Sequence, residues 1–148
     1  MDLNMEDNPE PRGAIVVGDG SFGIHPVGAS HYQPQIEHLV GGRTRMGYGI
    51  EPGYHRALFA ALLLPEPDNP YDKNTVGVII RNLTVGYLDR EVAKDFIAAL
   101  ARDGLDRAAC RAAVCGGWHR HSLDQDDDGL FGVRLDVVMP FRFRAPRI

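Results

Sequence analysis

The chain has 148 residues, 44% of them hydrophobic and 24% charged, which are the proportions of an ordinary soluble domain with one core. Its net charge is −4, so no bulk positive field draws nucleic acid from a distance. Residues 1–11 hold Asp2, Glu6, Asp7 and Glu10 and no base, leaving 16 acids against 16 bases elsewhere, so any phosphate binding must rest on a few shaped contacts.

Residues 1–12 lack the basic and apolar regions of a secretory signal and are expected to be a flexible acidic tail ahead of a single domain over 13–148. No apolar run approaches the roughly 20 residues that span a bilayer, so the expectation is a cytoplasmic protein without membrane contact. Residues 22–29 read as a first strand with weak alternation, in which Pro26 implies an edge or a bulge. Pro34 suits an early helical position, and Ile36, Leu39 and Val40 share one face, so a short helix is expected there, stopped by Gly41 and Gly42. Residues 43–53 are glycine-rich and read as a loop.

Residues 55–64 have the length of one long strand, although their alanines and leucines equally suit a helix. A dense set of turn formers follows, with Pro65, Pro67, Asp68, Asn69 and Pro70, and forces a rigid loop that shows Tyr71, Asp72 and Lys73 side by side. Residues 76–80 and 84–88 flank Arg81-Asn82-Leu83 as a hairpin. Asp89 is a good N-cap, Glu91 favours the first helical turn, and Val92, Ala93, Phe96, Ile97 and Leu100 form an apolar stripe ending at Gly104. Residues 111–114 read as a strand. Cys110 and Cys115 fall on opposite faces by their odd spacing and are expected to be buried and reduced. Residues 130–143 supply a last strand or pair of strands. The order as a whole predicts a mainly β (α+β) fold, a small antiparallel barrel of about six strands with two helices.

Three blocks carry a resemblance. Val27-Gly28-Ala29-Ser30-His31-Tyr32-Gln33, then Glu66-Pro67-Asp68-Asn69-Pro70-Tyr71-Asp72-Lys73-Asn74-Thr75-Val76, then Val85-Gly86-Tyr87-Leu88-Asp89-Arg90-Glu91-Val92-Ala93 together resemble the HIRAN domain, in its stand-alone bacterial form. The resemblance implies an OB-like β-barrel with helices at its side. It also implies single-stranded DNA as the partner, held at a free 3′ end, with a helicase-like ATPase acting in trans in DNA repair or processing. Carried over, Tyr71 stacks the terminal base and Asp72 accepts a hydrogen bond from the 3′-hydroxyl. Stacking of this kind is worth about 1–3 kcal/mol and tolerates any base. A carboxylate there also repels an internal phosphate and so selects an end.

Ser30, His31 and Tyr32 stand where the family places a basic residue and aromatics. Tyr32 keeps an aromatic, while Ser30 and His31 retain only hydrogen bonding and stacking toward phosphate and base. Arg90 and Lys94, one turn apart, join Lys73 as phosphate candidates, although a charged outer helix face is the commoner explanation. Arg43, Arg45 and Arg56 are weaker candidates. Phe141 and Phe143, interleaved with Arg142, Arg144 and Arg147, form either an extended groove or a final strand with a basic fringe. Asp124, Asp126 and Asp128 open like a calcium loop, but Leu135 stands at the twelfth position, so a solvated turn is preferred. His119 and His121 lack a third zinc ligand at suitable spacing, and no metal or cofactor is expected. No catalytic constellation is visible, so the expected role is a non-enzymatic nucleic-acid-binding module. Two alternatives remain: a protein–protein interaction module that keeps the barrel without the pocket and, more remotely, a metal-dependent nuclease using the acidic loop.

Overall fold

A computed structural model describes residues 13–42, 44–45, 55–121 and 126–145. The elements run β1 (Ala14–Val16), α1 (Gln33–Val40), β2 (Thr44–Arg45), β3 (His55–Pro65), β4 (Val76–Ile80), β5 (Leu83–Tyr87), α2 (Arg90–Asp103), β6 (Ala108–Gly116), β7 (Trp118–His121), β8 (Asp126–Asp128), β9 (Phe131–Asp136) and β10 (Phe143–Arg144), with a single 3-10 turn at Ala29–His31 before α1. Among the described residues the fold is mainly β with two helices.

The main sheet has seven strands in the order β10-β1-β6-β3-β4-β5, with β9 also on β6, and β2-β7-β8 form a small second sheet. β6 is the hub. One edge pairs with β3 from Ala108 to Cys115; the other pairs with β1 at Ala108 and Ala109 and with β9 from Arg111 to Gly116. Its residues are buried on both faces except Arg111 and Gly116, as befits a central strand.

Alternation builds the core. Phe59, Ala61 and Leu63 of β3, Cys110, Ala112 and Val114 of β6, and Phe131, Val133 and Leu135 of β9 share one buried cluster with Val76, Val78 and Ile80. α2 closes it with Ala93, Phe96, Ala99 and Leu100. Each such large side chain contributes about 1.5–3 kcal/mol by leaving water. Phe96 meets Phe141 edge-on at 5.2 Å and Phe143 at 6.1 Å. These two aromatics therefore serve the core and not a groove. Asp89 caps α2 by accepting from the Glu91 amide, and Gly104 ends it. The hairpin turns on Arg81 and Asn82, both left-handed (φ 49° and 67°), as a two-residue turn matched to strand twist requires. Cys110 and Cys115 are buried free thiols, and burial, helped by Asp136, pushes the Cys110 thiol up, which keeps it protonated and unreactive.

The expected closed antiparallel barrel is not what forms. The sheet is mixed, because β1 runs parallel to β6, and it is open between β5 and β9. The strand expected over residues 22–29 would have filled that gap. It contributes only single bridges, Ile24 with Leu135 and Val27 with Tyr87. Pro26 has no amide to donate, and Phe22 (φ 51°) and Gly28 (φ 82°) leave the extended region, so pairing cannot propagate. β1 carries no periodic signal over its three residues.

Candidate nucleic-acid interface

The loop between β3 and β4 is built by its own polar side chains. The Asn69 Oδ1 accepts from the amides of Tyr71 (2.9 Å) and Asp72 (3.2 Å), while its Nδ2 donates to Glu66 at 3.1 Å. The Asp72 Oδ1 accepts from the Asn74 amide at 2.9 Å, and the Asp72 carbonyl accepts from the Thr75 hydroxyl and amide. Backbone demands are thus met locally, and the loop needs nothing from Tyr71. That ring is 96% exposed. A large aromatic held in water on a fixed backbone contributes little to folding and is available to a ligand.

Beside it lies an open cavity of about 340 Å³. Tyr71, Asp72, Asn69 and Asn74 form one wall. Arg90 and Ala93, from the first turn of α2, form the second, and Val27 with Tyr87 the third. The Arg90 Nε lies 3.8 Å from the Asp72 Oδ2. One carboxylate oxygen of Asp72 therefore serves the turn and the other faces a guanidinium across the cavity. With 73% of the Arg90 side chain exposed, this pair holds little energy and yields to a competing ligand.

The Val27 wall exists because of Gly86. A β-carbon there would stand 3.0 Å from the Val27 carbonyl and 3.3 Å from Pro26, so a side chain would push the bridge off β5. Tyr32 does not line the cavity. It packs on the core and its hydroxyl is hydrogen-bonded to that of Tyr87 at 3.2 Å, with the rings 6.1 Å apart. That hydrogen bond, with partial burial, pushes the Tyr87 hydroxyl up to about 12. Gln33, which closes the first block, is structural: its side chain donates to the carbonyls of Ala29 and Phe131 and accepts from the Phe131 amide, tying α1 to β9.

Of the expected site residues, Tyr71, Asp72 and Arg90 come together in the cavity, and Tyr32 reaches it through Tyr87. Ser30 and His31 are exposed in the 3-10 turn and Lys73 is exposed on the loop, none of them lining the cavity. Lys94 pairs with Glu91 at 3.6 Å on the outer face of α2. Sequence reasoning did not single out Tyr87, Val27 and Asn69, which also line the cavity. Arg43, Asp124 and Arg147 lie outside the described residues, as do the side chains of Arg45, Arg56, Trp118, His119, His121, Asp126 and Asp128. Among the described residues no helix is long and apolar enough to cross a membrane.

Neither the curated proteins nor the solved structures gave a match. A family model, described as HIRAN domain, matches residues 20–116, well over half of the chain and every wall of the cavity. The chain therefore belongs to the HIRAN domain family.

Proposed function

We propose that the cavity between Tyr71, Asp72 and Arg90 receives the 3′ end of single-stranded DNA, and that the protein is a non-enzymatic binder acting in DNA repair or processing. HIRAN domains are generally DNA-binding modules, usually non-catalytic on their own. The observation that carries the finer reading is the Tyr71 ring, 96% exposed on a loop whose backbone is already satisfied. A base stacked on it gains about 1–3 kcal/mol without sequence preference. Val27, 47% exposed, offers an apolar contact across the cavity. Asp72 then accepts from the terminal hydroxyl and repels a phosphate, while Arg90 turns from Asp72 to the preceding phosphate. In this reading the exposed Lys73, Lys94, Ser30 and His31 serve the rest of the strand. In this reading the protein acts in the cytoplasm, with any ATPase supplied in trans.

Fluorescence anisotropy tests it with labelled oligonucleotides ending in a 3′-hydroxyl, a 3′-phosphate or only a free 5′ end, and with a blunt duplex. The single strand with a 3′-hydroxyl should bind tightest. Equal, negligible binding to all four would sink the proposal.

A further inference from the structure

A second crevice lies away from the Tyr71 cavity, where two strands meet on one edge of β6. β1 runs parallel to β6 and ends its pairing at Ala109; β9 runs the other way and begins its pairing at Arg111. The two approach head-on and must part. Beyond β1 the Val17 amide donates to the Arg142 carbonyl (2.9 Å) and the Val17 carbonyl accepts from Val138 (3.0 Å), so the two chains slide past each other. Where strand neighbours change in this way a sheet leaves a crevice, the same geometric reason that ligands collect at switch points of open sheets. Here it measures about 380 Å³, within the range of small-ligand sites.

Its chemistry is set by Arg111, Arg144 and Asp136. Cys110 and Ala112 point into the core, so Arg111 points out of the opposite face into the crevice. Arg144 lies opposite Ile15, which lies opposite Ala109, so Arg144 shares the face of Arg111. Asp136 is directly across from Arg111 and only 5% exposed. Its carboxylate forms no ion pair with Arg111 among the described residues. It accepts instead from the amides of Gly20 (2.9 and 3.1 Å) and Phe22 (3.3 Å), wrapping the loop that follows β1 around itself. Gly18 makes that wrap possible, since a β-carbon there would stand 2.5 Å from the Asp136 carboxylate carbon. Arg111 is left half-buried, facing the crevice, with no ion pair or side-chain hydrogen bond among the described residues. Asp19 stands at the rim with its carboxylate turned to the Ser21 amide at 2.9 Å.

A half-buried guanidinium aimed into a crevice, beside a second one and not bonded to the carboxylate across from it, has its donors available to an oxoanion. We propose that this crevice binds a phosphate group on Arg111, with Arg144 beside it. The phosphate is either free, as inorganic phosphate or a mononucleotide, or part of a nucleic-acid strand. This site does not depend on the role given to the Tyr71 cavity.

Amide NMR on the full chain decides it. Inorganic phosphate is titrated against chloride at matched ionic strength, and a single-stranded oligonucleotide is titrated separately into Tyr71→Ala. Saturable shifts of the Gly18, Gly20 and Arg111 amides with phosphate, lost in Arg111→Gln, establish the site for free phosphate. Shifts there with the oligonucleotide alone, with Arg111→Gln flattening the salt slope of binding by about 0.7 per phosphate, assign it to a strand. No shift at these amides in either titration overturns the proposal, as do shifts that persist in Arg111→Gln. If Arg111→Gln does not fold, the titrations of the wild-type residue at 111, together with Arg144→Gln, decide alone.

Discussion

Two loops in this protein are each pinned by one side-chain group that accepts backbone amides, and they differ in where that group comes from. Asn69 pins the loop before β4 from within, accepting from residues two and three positions on. Asp136 pins the loop after β1 from the far end of the chain, accepting from Gly20 and Phe22 across 116 and 114 residues. The first hold forms as soon as the local chain turns. The second requires β9 to be in place. Local pinning leaves the side chains between the pinned amides free for a ligand, which is how Tyr71 stays in water. Long-range pinning makes the loop part of the fold and the carboxylate unavailable to anything else.

That difference can be broken experimentally. The largest effect is expected from Asp136→Ala, which removes the acceptor of the Gly20 amide and of the buried Phe22 amide and should lower stability by about 1–3 kcal/mol in urea denaturation. Asp136→Asn keeps an acceptor and should recover part of it; equal losses in the two variants would mean the amide bonds are not what matters. Tyr71→Ala should do the reverse. It should leave the denaturation midpoint unchanged and weaken single-strand binding by about 1–3 kcal/mol, roughly 5- to 150-fold, in an anisotropy titration. A lowered midpoint would show that the ring supports the loop after all. Asn69→Ala should fall between them, costing about 1 kcal/mol of stability and loosening the Tyr71 and Asp72 amides to hydrogen exchange without touching those of Gly20 and Phe22.

The smallest effect is in pH. The Tyr87 hydroxyl is raised from 10.0 to about 12 in the folded protein by its bond with Tyr32. The stability this brings is complete below pH 10 and is lost as pH rises from there toward 12, because the unfolded chain gives up its proton first. Tyr87→Phe should remove that alkaline slope, which a series of thermal melts would show.

The same contrast explains what could be read in the sequence. α2 was legible because its cap at Asp89, its stripe through Phe96 and its stop at Gly104 are all local signals. So were α1 with its glycine stop and the hairpin on Arg81 and Asn82. β1 was not legible, because three apolar residues have no period and are recruited by β6 and β10 from far along the chain. Residues 22–29 looked like a strand and make only two bridges, since alternation says nothing about whether an edge is free along its length. Tyr71 and Asp72 could be singled out from loop chemistry, and both line the cavity. Tyr87 could not be read that way, although a strand end two residues before an N-cap does place it beside Arg90. Ser30 and His31 were read from the family pattern, and the 3-10 turn holds them outside the cavity that Tyr71 borders.

Selection of a free strand end by Asp72 is measured by the ratio of affinities for a 3′-hydroxyl and a 3′-phosphate oligonucleotide, in wild type and in Asp72→Asn. The substitution keeps an oxygen for the Asn74 amide, removes the charge and puts an NH2 donor where the second oxygen stood. The wild type should favour the hydroxyl end, and Asp72→Asn should bring the ratio toward one by strengthening binding of the phosphate end. A wild-type ratio already at one, or a preference that survives Asp72→Asn unchanged, would contradict it.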